Sequence, residues 1–384
     1  MEQIKKRISL VALLLSACGG SYKAPPSVPT IAMPSGAALR PFDPGSPSLA
    51  RPAGMESYGG KVYVALANYD AGYTVRGPGL LGVLTPTTGA LTTIDLAGST
   101  EKGCLEPYWI RDNGGKLYVT CTGYKDFSDP AGKYIGTAIV EVDPGSNNLT
   151  RTAATPSLPS GPVSPSGLAI TPTRIWFGDA SSGNLYAVDR GSFTVVAGPI
   201  AIPCPSTGSY TTVSDVILVQ GDLYAACSND TGGVLSRLDA NTGALKMKAE
   251  AGPIVAEFTE TGDGRIAVIS GADNKLRLVT IGASALTVVE AYTYGSKTST
   301  LQDIHARNQF VFTAASGSNT VQKLDLTRTG AAMLVAEANV GIGAAPYNIV
   351  PLDDDQALVA NQTSNTVVSV SSDCTGGNLC WTKP

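Results

Sequence analysis

A chain of 384 residues is long enough for one large core, and 43 glycines and 25 prolines cut it into short segments. Charged residues make up only 15% and the net charge is −4, so no basic stripe marks a nucleic-acid surface. A single histidine excludes a His-rich zinc or haem centre, and beyond the leader no apolar run is long enough for a membrane helix.

In chain order, Lys5, Lys6 and Arg7 precede an apolar run from Ile8 to Leu15. That run is too short for a permanent span, which needs about 20 residues, and residues 1–17 read as a signal peptide. Leu15-Ser16-Ala17-Cys18 resembles the lipobox of bacterial lipoproteins. The resemblance implies cleavage before Cys18, acylation of that cysteine with palmitate-type chains, and attachment to a membrane through lipid. Gly19 stands where many Gram-negative lipoproteins retained at the inner membrane carry aspartate, which points to the outer membrane ahead of the inner one. The alternative is an ordinary secretory signal with Cys18 incidental. Residues 18–50, with Pro25, Pro26, Pro29, Pro34, Pro41, Pro44 and Pro47, read as an extended tether. Only Val28 to Met33 is apolar enough there for a strand.

From residue 51 a β-rich core recurs seven times: Lys61–Val64, Lys116–Val119, Arg174–Phe177, Asp222–Ala225, Arg265–Val268, Gln309–Phe312 and Gln356–Val359. Spacings of 43 to 58 residues match one four-stranded propeller blade. The predicted fold is therefore all-β, a seven-bladed β-propeller of four-stranded antiparallel blades over residues 51–384. Thr88-Gly89 and Thr242-Gly243 mark tight turns between the last two strands of a blade. Blade 7 is short of its last strand, which either Leu379 to Pro384 or Val28 to Met33 supplies. Leu358-Val359-Ala360-Asn361, Ser364-Asn365-Thr366-Val367 and Ser318-Asn319-Thr320-Val321 resemble the YVTN-type propeller repeat, with Tyr118-Val119-Thr120-Cys121 a partial match. That likeness implies fold and not chemistry.

An exported compartment permits disulfides, and apart from Cys18 six cysteines remain. In repeat register Cys121 and Cys227 both end a second strand, while Cys104 and Cys204 both precede a first strand. The expected pairs are Cys104 with Cys121 and Cys204 with Cys227, and Cys374 with Cys380 clipping the end of blade 7. No Cys-x-x-Cys spacing favours metal binding by the thiols instead.

His305 lies two residues after Asp303, on the same face of a strand. A hydrogen-bonded polar residue between blades is favoured over an acid–base or metal pair, and no Gly-x-Ser-x-Gly elbow accompanies it. Glu56, Asp215, Glu257, Asp303 and Asn348 sit on first strands and are oxygen donors for a channel cation such as calcium. Alternation is expected to let about two of them meet, which leaves Asp215, Asp303 and Asn348 as weak metal candidates and no cofactor as the leading expectation. Asp353-Asp354-Asp355 reads as a solvated turn and Asp70 as a loop residue.

Two loops between second and third strands exceed structural need, Asn68 to Gly79 and Thr122 to Gly136. They carry Tyr69, Tyr73, Arg76, Tyr124, Lys125, Asp126, Phe127, Asp129 and Tyr134, with Tyr108 and Trp109 on the adjacent first strand. Aromatic rings interspersed with polar groups suit a protein or glycan ligand; packing of the same rings against their own blades is the competing account. The expected function is a lipid-anchored, non-enzymatic binding or scaffold protein of the cell envelope. A metal-dependent propeller hydrolase or lactonase and a structural subunit of an envelope complex are the alternatives.

Overall fold

The structure, a computed structural model, describes residues 30–39, 48–70, 72, 74–75, 77–98, 103–125, 134–158, 161–208, 210–295, 300–374 and 379–382. Seven sheets of antiparallel A, B, C and D strands form the blades; in blades 1 to 6 the four strands follow in chain order, while blade 7 takes its fourth strand from the N-terminal segment. The A strands are Leu49–Tyr58, Pro107–Asn113, Pro165–Ile170, Thr212–Val219, Val255–Glu260, Leu301–Arg307 and Pro346–Pro351. Each touches the A strand of both neighbours, so they form a closed ring about a central channel. The seven-bladed propeller expected from the repeats is the observed fold.

Strand B explains why the repeat is visible. In Lys61–Tyr69 of blade 1, Val62, Val64 and Leu66 enter the core shared with blade 7, while Tyr63 and Ala65 enter the core shared with blade 2. Both faces are covered, so the strand reads as a near-continuous apolar run. Seven such cores fill the seven blade boundaries. Each fully buried Val or Leu there contributes about 1.5–3 kcal/mol. Strand D lies at the rim, and in Ala90–Asp95 most side chains stay in solvent.

The Ser-Asn-Thr turns have a physical role. Asn319 and Asn365 both take left-handed φ values, 56° and 54°, which Asn tolerates better than most residues. The flanking hydroxyls bond to each other, Ser318 to Thr320 at 2.7 Å and Ser364 to Thr366 at 2.8 Å. Asn319 Oδ1 then accepts the N–H of Ala345 at 3.0 Å, and Asn365 Nδ2 donates to the carbonyl oxygens of Met33 and Pro34 at 3.1 and 3.3 Å.

That last contact closes the ring. Thr30–Ala32 pairs antiparallel with strand C of blade 7, Thr366–Ser371, placing Thr30 opposite Val368 and Ala32 opposite Thr366. Ile31, Met33 and Leu39 are buried in the core between blades 7 and 1. The chain's other end, Leu379–Cys380, lies parallel to the lower half of the same strand, Leu379 opposite Val370. Thr30–Ala32 already fills the edge beside Thr366–Val368, so the returning C-terminal segment takes the remaining end. It continues to blade 6, where Glu337 and Thr382 exchange two backbone hydrogen bonds of 2.9 and 2.8 Å. Trp381 Nε1 donates to the Asp355 carbonyl at 2.8 Å.

All three expected disulfides are present: Cys104–Cys121, Cys204–Cys227 and Cys374–Cys380, with Cα separations of 5.3, 5.1 and 5.1 Å.

Candidate functional site

The channel owes its chemistry to a β-bulge repeated in the A–B ladders. In blades 4 to 7 the register slips between Val213 and Asp215, Val255 and Glu257, Leu301 and Asp303, and Pro346 and Asn348. Wider slips occupy the same place in blades 1 to 3. A bulge re-aims the adjoining side chain. Aligned on the paired stretch that follows, the position holds Gly54, Trp109, Gly167, Asp215, Glu257, Asp303 and Asn348 around the ring. Two residues on, a second layer on the same side of each strand holds Glu56, Arg111, Ala169, Ile217, Thr259, His305 and Val350.

The two glycines mark close approach. A Cβ on Gly54 would lie 2.0 Å from the Tyr108 carbonyl oxygen, and one on Gly167, whose φ is +64°, would lie 2.2 Å from the Val216 nitrogen. In both cases the next blade's A strand fills the space a side chain would need.

Acidic groups outnumber their counter-ion in these layers. Arg111 interacts with Asp215, Glu257, Glu56 and Asp303, and its Nη2 lies 3.6 Å from Glu257 Oε1. Burial pushes Asp215 up to about 7, the Glu257 charge adds to that, and Arg111 opposes it. Burial likewise raises Glu56 to about 7 against the pull of Arg111. Glu257 is pushed far above the carboxylate range by burial and by the neighbouring Asp303 charge. Burial holds His305 down to about 4, so its imidazole is neutral near pH 7.

The Glu257, Asp303 and His305 donor atoms all lie within 4.8 Å of one another. Asp303 Oδ2 accepts the Ile349 N–H at 2.6 Å. Asp303 Oδ1, His305 Nε2, Asp215 Oδ2 and Asn348 Oδ1 are buried without a hydrogen-bond partner. A cavity of 360 Å³ opens below them at the A–B turns, lined by Glu56, Arg111, Asn113, Thr259 and His305.

The opposite face carries the long B–C loops. There a cleft of 240 Å³ is lined by Tyr69, Glu106, Tyr108, Trp109, Tyr347 and Gln362. The Tyr69 hydroxyl donates to Glu106 Oε1, and Thr122 Oγ1 donates to the Glu106 carbonyl at 3.0 Å and to Oε2 at 3.3 Å. Burial raises the Glu106 carboxyl, and these two hydroxyls pull it back down. Tyr108 packs edge-on to Tyr347 with ring centroids 5.6 Å apart, and burial holds its phenol well above the ordinary value. The Trp109 indole N–H is buried with no acceptor. Glu106 has φ 47°, but Ile254, Thr300 and Ala345 take the same left-handed conformation just before their own A strands. The strain belongs to the repeat and is no mark of a site.

Of the expected binding residues, Tyr69, Tyr108 and Trp109 line this cleft. Tyr124–Lys125 and Tyr134–Ile135 form a short ribbon beside it, while Tyr73, Arg76 and Phe127 lie outside the described residues, as does Cys18. The six aromatic rings described on this face, Tyr347 included, are each half-buried; Tyr69, Tyr108, Trp109 and Tyr347 wall the recess, and Tyr124 and Tyr134 lie outside its lining. Asp70 is a loop residue as expected, its Oδ1 accepting the N–H groups of Gly72 and Thr74 at 2.8 and 2.9 Å.

Two expectations for the channel are corrected. His305 Nε2 makes no hydrogen bond, because Asp303 Oδ1 stands 3.7 Å away. Of the five oxygen donors, two meet as expected, but the pair is Glu257 and Asp303, in place of a pair drawn from Asp215, Asp303 and Asn348, and alternation brings His305 beneath them as a third donor. Asp215 and Asn348 occupy the ring position in blades 4 and 7, outside the three-donor group. Sequence reasoning missed Arg111 and Glu106. Arg111 follows Trp109 by two residues as His305 follows Asp303, a signal visible only once the blades are aligned at the bulge.

No protein-family model matches the chain, and no curated protein does. Among solved structures it is similar to the hydrazine synthase of Kuenenia stuttgartiensis, with TM-score 0.61, 15% identity and coverage of 84% of this chain and 96% of that one. It is also similar to a streptogramin B lyase, with TM-score 0.60, 16% identity and coverages of 84% and 93%. A catalytically inactive virginiamycin B lyase from Staphylococcus aureus with quinupristin gives TM-score 0.59, 15% identity and coverages of 83% and 94%. Likeness at these identities establishes the propeller fold and carries no activity with it.

Proposed function

We propose that this propeller, built of YVTN-type repeats, is a lipid-anchored, non-enzymatic binding protein of the cell envelope that takes a glycan or a peptide segment in the cleft between blades 1, 2 and 7. The cleft itself carries this reading. Aromatic walls from Tyr69, Tyr108, Trp109 and Tyr347 enclose polar groups of Glu106 and Gln362. Such a mixture suits a ligand with hydroxyl or amide groups on an apolar frame. Glu106, the cleft's carboxylate, already accepts from Tyr69 and Thr122 on both oxygens. It therefore offers no paired acid and base for hydrolysis.

The strand direction supports display on a surface. Thr30–Ala32 runs toward the cleft face, since Ala32 pairs with Thr366 at the start of strand C. Its N-terminal end, on the Cys18 side, consequently faces away from the cleft. The twelve residues 18–29 can reach at most about 40 Å from a lipid at Cys18. The anchor and the outer-membrane location rest on the Leu15–Cys18 motif and Gly19.

A screen of surface glycans and envelope peptides against purified protein tests the cleft. Gln362→Ala should keep the melting temperature, Tyr69→Phe should lower it modestly by taking a donor from Glu106, and both should weaken capture at least about tenfold; unchanged capture by both variants refutes the site. Cys18→Ser should move folded protein to the soluble fraction, and its retention on membranes would refute the lipid anchor.

A further inference from the structure

We propose that the channel binds one divalent cation of the zinc or manganese class on Glu257, Asp303 and His305. Glu257 and Asp303 come from the ring position of adjacent blades 5 and 6, and His305 from the layer beneath. Their donor atoms lie within 4.8 Å of one another. The 3.7 Å between Asp303 Oδ1 and His305 Nε2 is too long for a hydrogen bond. It is near the roughly 3.4 Å that separates two donors on a tetrahedral cation with bonds of about 2.0–2.2 Å.

The second observation is the state of those atoms. Asp303 is wholly buried, and its Oδ1 and the His305 Nε2 face each other with no donor or acceptor to satisfy them. Native interiors rarely leave such a pair of polar atoms unpaired. Arg111 does not complete the site. It supplies one positive charge against Glu56, Asp215, Glu257 and Asp303 and approaches Glu257 no nearer than 3.6 Å.

Donor type selects the metal. Calcium, expected from oxygen donors alone, takes six to eight oxygen ligands, whereas two carboxylates with an imidazole suit zinc or manganese. His305 also lines the 360 Å³ cavity, so its imidazole lies between the two buried carboxylates and the cavity from which a cation would enter. That cavity lies on the face opposite the cleft, and this inference stands independently of the function proposed above.

The full-length protein, purified in detergent and stripped with EDTA, is titrated calorimetrically with zinc, manganese or calcium chloride. One equivalent of zinc or manganese should bind, more tightly than calcium, and cobalt loaded in their place should show the visible bands of a low-coordinate site. Asp303→Asn and His305→Gln should each weaken binding on the order of tenfold to a hundredfold with circular dichroism unchanged. Glu257→Gln provides the same readout if either variant misfolds. Tyr69→Phe in the cleft should leave metal affinity as it was. Absence of stoichiometric binding to folded protein, a preference for calcium, or affinity untouched by these channel variants would overturn the site.

Discussion

Ile349 donates its backbone N–H to Asp303 Oδ2 at 2.6 Å, across the boundary between blades 6 and 7. Asp215, at the same position in blade 4, instead accepts the N–H of its own neighbour Val216 at 2.8 Å. Strand A is the inner edge of its sheet, so the Ile349 N–H has no further strand to pair with, and the carboxylate of the preceding blade supplies the acceptor. Asp303→Ala should therefore cost about 1–3 kcal/mol through an unpaired buried N–H. Asp303→Asn retains an acceptor and removes a buried charge, so metal-free protein should melt no lower than wild type. Calorimetry of both variants checks this, and equal losses in the two would show that the N–H bond is not what matters.

The bridges Cys104–Cys121 and Cys204–Cys227 close loops spanning 17 and 23 positions. Each is expected to contribute about 2–4 kcal/mol by restricting the unfolded chain. Cys104→Ser with Cys121→Ser should lower the melting temperature and loosen the base of the cleft, because Leu105 accepts from Gly123 at 3.1 Å and donates to Gly136 at 2.9 Å beside that bridge. A melting temperature equal to wild type under oxidising conditions would contradict the assignment.

Closure of the ring can be tested at Asn365 and Ile31. Asn365→Ala removes the side-chain bonds to Met33 and Pro34, and Ile31→Asp puts a charge into the core between blades 7 and 1. Both should destabilise, Asn365→Ala by about 1 kcal/mol for each net hydrogen bond lost and Ile31→Asp by more. Both should expose strand C of blade 7 as an unpaired edge. Limited proteolysis should then cut first around residues 30–39. Wild-type resistance in both variants would mean that the C-terminal segment alone holds the blade.

The blades were legible because strand B is buried on both faces, so Lys116–Val119 and its counterparts look alike wherever they occur. The cysteine pairs followed from the same register. Thr30–Ala32 was visible only as one of two options, since a three-residue strand has no period and its partner, Val368, lies at the far end of the chain. The channel was harder to read for a related reason. Asp215, Glu257 and Asp303 can be picked out individually, but their convergence depends on a one-residue slip that shifts a strand's side chains to the other face. Arg111 sits beyond a wider slip in blade 2, and Glu106 gains its role only when the end of strand B in blade 1 brings Tyr69 against it.

The two populations of carboxylates set the pH dependence of stability. Asp239 and Asp263 are held down to about 2 by hydrogen bonds, chiefly from Lys246 and Arg265 respectively. A lowered acid stabilises above its unfolded value, near 4, and loses that contribution as pH falls toward 2. Asp215 and Glu56 are raised to about 7, chiefly by burial. A raised acid contributes fully below its unfolded value and loses that contribution as pH climbs through 7. The EDTA-treated protein should consequently be most stable near pH 4–5, and its melting temperature should fall between pH 5 and pH 8. Asp215→Asn stays neutral throughout, so it should flatten that fall and melt several degrees above wild type at pH 8, at roughly 2–4 °C per kcal/mol. Glu56→Gln should act in the same direction. Differential scanning calorimetry across pH 3–9 decides the matter, and a wild-type melting temperature that rises from pH 5 to pH 8 would rule out buried protonated carboxyls in the channel.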